Sequence, residues 1–132
     1  MKVRVYYEDT DAAGVVYHAG YLRFFERART EFFRDHGFNV AELAAAGNVF
    51  PVVRMEIEFK APALHDDLLE IITLPEECRG ASILIHQQAV RACDHKLLVE
   101  ARVTLACIGR DQAARRIPPQ IRNMLLQQLS GQ

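Results

Sequence analysis

The sequence predicts an α+β fold in which one long helix packs against a five-stranded, mainly antiparallel sheet. A single long, aromatic-rich helical pattern runs from about His18 to His36, and alternating apolar and polar residues fill most of the chain after it. Short turns join these alternating stretches, and short connections link strands that run antiparallel. Helices and strands that occupy separate parts of a chain are typical of α+β architecture.

The first two predicted elements are a strand and the long helix. Residues 2–7 alternate polar and apolar side chains, which indicates a strand. The helix carries apolar residues at spacings of four, three and four, as expected for one buried face. This stripe consists of Tyr21, Phe25, Ala28 and Phe32. Gly37 provides a helix stop.

A short helix precedes the remaining strands. Asn39 and Glu42 have the spacing of a capping box, and Gly47 ends the segment. The strands are predicted over residues 53–59, 68–77, 81–92 and 99–107. A last amphipathic helix follows the two prolines at 118 and 119.

Long strands allow the sheet to wrap around the central helix. The predicted strands have up to about ten residues, against a usual ~5–6, and a helix enclosed by such a curved sheet is the hotdog fold. A chain of 132 residues is expected to form one domain, residues 1–132. Because an open sheet has two edges to protect, we expect a homodimer whose sheets join edge to edge.

Composition argues against several classes of function. A formal net charge of −1 provides no basic field for nucleic acid. No apolar stretch approaches the ~18–20 residues of a membrane span, so a cytoplasmic protein is expected. The three cysteines form no C-x-x-C pair and the histidines lack metal-ligand spacing, so we expect neither a metal nor a cofactor.

The residues with the clearest chemical meaning lie between the first strand and the long helix. Asp9 and Asp11 occupy a short turn, Gly14 loosens the backbone, and His18 stands at the predicted helix start. Carbonyl chemistry needs a group that attacks or deprotonates water, and donors that stabilise the oxygen that becomes negative. This segment therefore predicts an enzyme that acts on an ester-like carbonyl.

The same segment, Y-E-D-T-D-A-A-G-V-V-Y-H-A-G-Y-L-R-F-F-E-R-A-R-T-E, resembles the signature of the 4-hydroxybenzoyl-CoA thioesterase family. It is most similar to the bacterial acyl-CoA thioesterases associated with the Tol-Pal cell-envelope system. The likeness continues through P-V-V-R-M-E-I-E-F-K-A-P-A-L-H-D-D-L-L-E and R-R-I-P-P-Q-I-R. The resemblance implies a hotdog thioesterase, a dimer or tetramer, that cleaves acyl-CoA to free acid and CoA without a metal.

The resemblance also implies roles for individual residues. The catalytic carboxylate of the family corresponds to Asp11, with His18 seven residues later and Tyr7 four residues earlier. Asp11 acts either as a general base or as a nucleophile that forms a mixed anhydride, and the sequence leaves both routes open. Ala13 stands where close relatives often carry a second glycine beside Gly14, which slightly stiffens the turn and leaves the chemical groups in place.

Donors for the developing oxyanion are expected at the start of the long helix. The first N–H groups of a helix lack intrahelical partners and lie at the positive end of its dipole. We assign this role to the backbone of His18, with Tyr17 and Gly14 as further residues of the oxyanion and substrate-binding site. The side chain of His18 either hydrogen-bonds the substrate carbonyl or orients Asp11 or water.

Three cations, Lys60, Arg79 and Arg91, are candidates for binding the phosphates of CoA over the sheet surface. Two other functions remain open at this level. One is hydration or dehydration of an enoyl or hydroxyacyl thioester on the same fold. The other is a non-catalytic module that binds an acyl thioester or an acyl carrier protein, because a fold alone does not define an activity.

Overall fold

The computed structural model describes residues 1–130, and residues 131 and 132, the end of the predicted domain, lie outside this range. The helices are α1 (Gly20–Asp35), α2 (Val40–Ala45) and α3 (Pro119–Ser130). The strands are β1 (Lys2–Arg4), β2 (Val52–Phe59), β3 (Leu68–Cys78), β4 (Ser82–Arg91) and β5 (Leu97–Ala106).

The five strands form one antiparallel sheet in the order β1-β3-β4-β5-β2. The predicted α+β class and five-stranded sheet are confirmed. Hairpins connect β3 to β4 and β4 to β5, so these strands lie in the centre, whereas β1 and β2 form the edges. The edge position of β2 matters for the site, because this strand is paired on one side only.

The central helix α1 packs against the sheet. Its buried residues include Phe24, Phe25, Ala28 and Phe33. The predicted stripe is therefore partly wrong, since Phe32 is only half-buried and Phe33 takes its place. A curved sheet covers a wider arc of a helix than the single stripe of a surface helix, which explains why neighbouring positions are both buried.

The inner face of the sheet supplies most of the remaining core. The predicted alternation is confirmed in β4 and β5, where Ile83, Ile85, Val99 and Val103 are fully buried. Burial of each such side chain contributes about 1.5–3 kcal/mol. From α3, Ile121 and Leu125 complete the core, as its amphipathic sequence predicts.

The predicted end of the first strand is wrong for a local reason. The first strand is predicted to continue to residue 7, but β1 ends at Arg4. The chain turns because the Asp9 carboxylate accepts the Tyr6 N–H at 2.9 Å, and residues Tyr7–Asp9 form a single 3₁₀ turn. At the short helix the prediction is correct, because the Asn39 side chain accepts the Glu42 N–H at 3.0 Å.

The edge strand β2 is less buried than its pattern predicts. Met55 and Ile57 are half-buried on the inner face, but Phe59 on that face is 50% exposed. The prediction that Val53 shares this face is wrong, because the register shifts at this residue and Val53, which is 60% exposed, lines the outer face beside Thr104. An edge strand has no neighbour on one side to cover these residues. No helix within residues 1–130 has the length and apolarity that a membrane crossing requires.

Candidate active site

A tight loop carries the two aspartates of the motif. An antiparallel β-bridge between Thr10 and Val16 joins the two ends of this loop. Inside the loop, the Asp11 N–H donates to the Val15 carbonyl at 2.9 Å. The Val16 N–H donates to the Ala63 carbonyl, also at 2.9 Å. The loop is therefore fastened to the segment that connects β2 with β3.

Gly14 allows this loop to reverse direction. Its φ angle is +79°, in the left-handed region, and its N–H donates to the Asp11 carbonyl at 3.0 Å. A Cβ atom here would meet no other atom within 4 Å, so glycine is required by the backbone conformation and not by space. Other residues adopt this conformation at a cost of roughly 1–2 kcal/mol. Gly14 thus shapes the turn that presents Asp11.

Asp9 and Asp11 have different surroundings. Oδ2 of Asp9 accepts the Tyr6 N–H at 2.9 Å, and Oδ1 lies 3.4 Å from the Arg23 guanidinium, so both carboxylate oxygens have partners. Asp11 is exposed, and its Oδ1 accepts the Ala13 N–H at 2.9 Å. Across residues 1–130, no cation lies within 4.0 Å of Asp11 and its Oδ2 has no hydrogen-bond partner. Asp9 stabilises the turn, whereas Asp11 keeps a free oxygen.

The helix next to this loop begins two residues later than predicted. The sequence predicts a start near His18, but α1 starts at Gly20 because the Gly20 N–H closes a turn onto the Tyr17 carbonyl at 2.8 Å. Ala19 occupies the N-cap position without a side-chain cap. In the described part of the chain, the N–H groups of His18 and Ala19 have no protein acceptor. Both donors are available to a ligand oxygen.

His18 is exposed at this helix start. Its ring lies 4.4 Å from the Tyr17 ring and 6.2 Å, edge to face, from the Phe59 ring at the end of β2. Phe59 also contacts the ring of Tyr21 at 5.9 Å. The Tyr21 hydroxyl accepts the Ala63 N–H at 3.2 Å, and burial raises the pKa of this hydroxyl above its ordinary value. Aromatic contacts and a buried hydrogen bond therefore join α1, β2 and the β2–β3 connection.

Tyr7 does not lie where the sequence predicts. It is expected at the end of the first strand, but the structure places it in the 3₁₀ turn, where it is 81% exposed. Its ring meets the His65 ring edge to face at 6.0 Å. Among residues 1–130, no hydrogen bond joins the Tyr7 hydroxyl to Asp11 or His18. A catalytic role for Tyr7 stays a prediction.

Known proteins resemble this chain over most of its length. The sequence profile of the thioesterase-like superfamily matches residues 5–129. This chain belongs to the thioesterase-like superfamily. The acyl-CoA thioester hydrolase YbgC of Escherichia coli strain CFT073 is 51% identical to this thioesterase over 106 residues, 80% of this chain and 78% of that protein.

Two further matches agree with this result. The acyl-CoA thioesterase YbgC of Haemophilus influenzae is 47% identical over 107 residues, 80% of this chain and 77% of that protein. A crystal structure described as a probable thioesterase from Bartonella henselae superposes with a TM-score of 0.84 at 44% identity, covering 89% of this chain and 97% of that one. The predicted family, the hotdog fold and the enzyme class, a thioester hydrolase, are confirmed.

The three candidate CoA-binding cations of this thioesterase each have carboxylate neighbours. Lys60 Nζ lies 3.3 Å from a Glu58 oxygen. Arg79 Nη2 lies 3.0 Å from a Glu77 oxygen, and Arg91 Nη1 lies 3.0 Å from an Asp94 oxygen.

The structure brings only two of these cations to the same end of the sheet as the aspartate loop. Arg91 Nη2 donates to the Pro62 carbonyl at 3.3 Å, next to the segment that fastens the loop, and Lys60 lies just before that segment. Arg79 lies at the opposite end of β4, about 30 Å away at ~3.3 Å per strand residue. One compact phosphate site therefore cannot include all three, and their roles in CoA binding stay predictions.

Sequence analysis missed a buried polar pair inside the thioesterase. Arg29 on α1 is 8% exposed, and its Nη1 donates to Oε1 of the fully buried Gln87 on β4 at 3.0 Å. The signal was present in the sequence. Gln87 interrupts the apolar alternation of β4, and Arg29 lies midway between Phe25 and Phe33 on the buried side of the helix.

Proposed function

We propose that this thioesterase hydrolyses acyl-CoA to a free carboxylic acid and CoA, with Asp11 as the group that activates the attack. The YbgC relatives of Escherichia coli and Haemophilus influenzae, both named for acyl-CoA, support the choice of substrate. The observation that carries the proposal is the free Oδ2 of Asp11 in a loop that adjoins an uncapped helix start.

Asp11 suits either of two routes. As a general base, its carboxylate takes a proton from water while the water oxygen bonds to the thioester carbon. As a nucleophile, a carboxylate oxygen bonds to that carbon and forms a mixed anhydride, which water then hydrolyses. In both routes the C–S bond breaks when the oxyanion collapses, and the CoA thiolate takes up a proton. The bonding of Oδ1 to Ala13 leaves Oδ2 for either task.

The backbone N–H groups of His18 and Ala19 are suited to hold the oxyanion. They are free of protein acceptors in the described range and lie next to the positive end of α1. Removal of one oxyanion donor from an enzyme costs roughly 10²–10³ in kcat, so two such donors would provide a large part of the rate. We propose that the exposed His18 ring orients water or the carbonyl.

We further propose that two copies of the chain complete the site. β2 is an edge strand with an open side, and it carries the exposed Val53 and Phe59. Tyr17 and Leu22, on either side of the start of α1, are also half-exposed apolar residues, and the His18 ring between them contacts Phe59 of β2. A second β2 strand paired there would protect the edge and cover these side chains. A tetramer would add a second interface to this dimer.

Product analysis tests the proposed reaction. The purified protein is incubated with acetyl-, octanoyl-, palmitoyl- and benzoyl-CoA, and also with crotonyl- and 3-hydroxybutyryl-CoA, which can gain or lose water. Free thiol is followed while mass spectrometry identifies the acyl products. We expect free acid and CoA in equal amounts from at least one substrate. An intact thioester that is lighter or heavier by one water indicates a hydratase or dehydratase, and binding without turnover indicates a non-catalytic module; either result would remove the proposal.

The remaining expectations concern the surroundings of the enzyme. Three expectations follow from the resemblance or from composition and stay predictions. They are an acyl carrier protein as the alternative carrier, a connection with the Tol-Pal system and a cytoplasmic location. Co-purification of the chain from its native host, followed by identification of bound carrier or envelope proteins and by fractionation, addresses all three.

A further inference from the structure

A buried guanidinium lies deeper along the helix that starts at the candidate site. Arg29 is held by Gln87, whose side chain is itself fixed by two hydrogen bonds. Gln87 Nε2 donates to the Phe25 carbonyl at 3.0 Å and to the Thr73 hydroxyl at 3.1 Å. Both amide hydrogens are therefore used, and the amide oxygen must point toward Arg29. The sheet positions this guanidinium rigidly.

No carboxylate is paired with Arg29. Within residues 1–130, no acidic oxygen lies within 4.0 Å of its guanidinium. Burial lowers the pKa of Arg29 below its ordinary value, and the charge of Glu26 acts in the opposite direction. The Nε and Nη2 donors have no protein acceptor in this range, yet protein atoms do not enclose them completely. A buried cation with unused donors is an indication of a ligand-binding position.

The unused donors belong to a residue that lines a small cavity. The cavity has a volume of about 90 Å³ and lies between α1, α2 and β5. This is several times the ~10–15 Å³ that one water molecule needs, so a terminal group of a ligand fits. Its polar side consists of Glu26, Arg29 and Thr30, and its apolar side includes Phe33, Val40 and Phe50.

The polar side of this cavity offers both a donor and an acceptor. Arg29 supplies N–H donors, and the Glu26 carboxylate, which accepts the Thr30 hydroxyl at 3.3 Å, has further acceptor capacity. A hydroxyl group matches both, because its oxygen accepts from Arg29 while its hydrogen is donated to Glu26. A carboxylate would be repelled by Glu26, and a methyl group would leave Arg29 without a partner.

Helix geometry links the cavity with the oxyanion donors. Glu26, Thr30 and Phe33 share one face of α1, and the same face continues back to the exposed Leu22 in the first turn of the helix. Ten residues separate Ala19 from Arg29, or about 15 Å along the axis at ~1.5 Å per residue. Side chains on a helix tilt toward its N-terminus, which shortens the distance.

We propose that Arg29 is a specificity-determining residue that, together with Glu26, recognises a hydroxyl group on the distal part of a medium-chain acyl group. A span of roughly 10–15 Å corresponds to about eight to twelve carbons at ~1.3 Å per carbon of an extended chain. The inference rests on the proposed function, because it assigns the far end of the same acyl site. The thioester carbon lies at the start of α1 and the hydroxyl in the cavity.

The test compares matched acyl-CoA pairs with and without a terminal hydroxyl, from eight to twelve carbons. We expect the native enzyme to favour one hydroxylated chain length by about tenfold in kcat/KM, the value of one hydrogen bond to a charged group. Arg29→Met and Glu26→Met should each abolish this preference, because KM rises more for the hydroxylated substrate than for its unhydroxylated counterpart. The exposed variant Arg34→Met, on the same helix, should retain it.

A purely structural Arg29 predicts a different result. In that case Arg29→Met lowers activity equally on both substrates, and Glu26→Met, which does not contact Gln87, changes nothing. Either this result or a native enzyme without preference at any chain length overturns the inference.

Binding measurements separate this inference from the proposed function. Calorimetric titration with decanoic and 10-hydroxydecanoic acids requires no turnover. Tighter binding of the hydroxy acid that depends on Arg29 supports the inference even if no acyl-CoA is hydrolysed. Hydrolysis without any preference, in turnover or in binding, supports the function and removes the inference.

Discussion

Replacement of Asp11 by asparagine removes a carboxylate and leaves its turn intact. The asparagine oxygen can accept the Ala13 N–H that Asp11 Oδ1 now accepts at 2.9 Å. Within residues 1–130, no cation lies within 4.0 Å to lose a partner. Because Asp11 is exposed, we expect the free energy of unfolding to change by no more than about 0.5 kcal/mol.

The expected loss of catalysis is far larger than this change in stability. A positioned general acid or base contributes roughly 10²–10⁴ in rate, which equals about 3–5.5 kcal/mol of activation free energy. An amide neither accepts a proton from water nor attacks a thioester at neutral pH. In a thiol-release assay, kcat should fall by this factor while KM changes little, because Asp11 acts on the reacting atoms.

Asp9→Asn provides a matched control two residues away. Its side-chain oxygen keeps the bond to the Tyr6 N–H, and the variant loses only the exposed contact with Arg23, worth about 0.2–1 kcal/mol. Activity should remain within a few-fold of the native value. A well-folded Asp11→Asn enzyme with native kcat, or a larger loss in Asp9→Asn, would refute the assignment of Asp11.

Two further predictions concern assembly and pH. We expect the protein to sediment as a dimer. Val53→Asp, at the most exposed apolar residue of β2, should produce monomers with reduced activity, whereas the control Leu74→Asp on β3 should remain a dimer. A dimeric Val53→Asp enzyme would contradict the β2 interface. His86 Nε2 lies 2.6 Å from Glu100 Oε1, and this hydrogen bond, ahead of the charges of His86 and Lys60, lowers the pKa of Glu100 below 4.5. A carboxyl group whose pKa is lower in the folded than in the unfolded protein stabilises the folded state at pH values above its unfolded-state pKa. This stabilisation is lost as the pH falls through the folded-state pKa. The difference in unfolding free energy between native and His86→Ala protein should therefore shrink below pH 4.5, and a constant difference across this range speaks against the pair.

The fold could be predicted from the sequence wherever one local pattern decides the outcome. The alternation in β5 requires one face to be buried, and the structure buries Val99, Ala101 and Val103 as predicted. The Asn39 cap also depends only on its own neighbours. Boundaries set by side chains several residues away were wrong, because the turn that ends β1 depends on an unpredicted bond from the Tyr6 N–H to Asp9.

In the candidate site, too, local features could be predicted from the sequence and contacts between distant residues could not. The order of Asp11, Gly14 and His18 in the sequence predicted the loop, and it predicted the start of the nearby helix to within two residues, because turns and helix ends are local structures. The pairing of Arg29 with Gln87 joins residues 58 positions apart. A pattern based on periodicity treats such a polar residue as an interruption, and only the assembled sheet reveals its partner.

The exposure of Asp11 connects the unprotected sheet edge with the chemistry. A carboxylate in open water gains little from nearby donors, because a high dielectric weakens each interaction with a developing charge. Oxyanion stabilisation of the size that thioester cleavage needs therefore requires something to cover the loop. Two exposed surfaces lie next to each other here: the free side of β2 and the aromatic residues before α1, which include Tyr17. They are joined by the contact of His18 with Phe59. One neighbouring copy at β2 would protect the edge and exclude water from Asp11 in the same step.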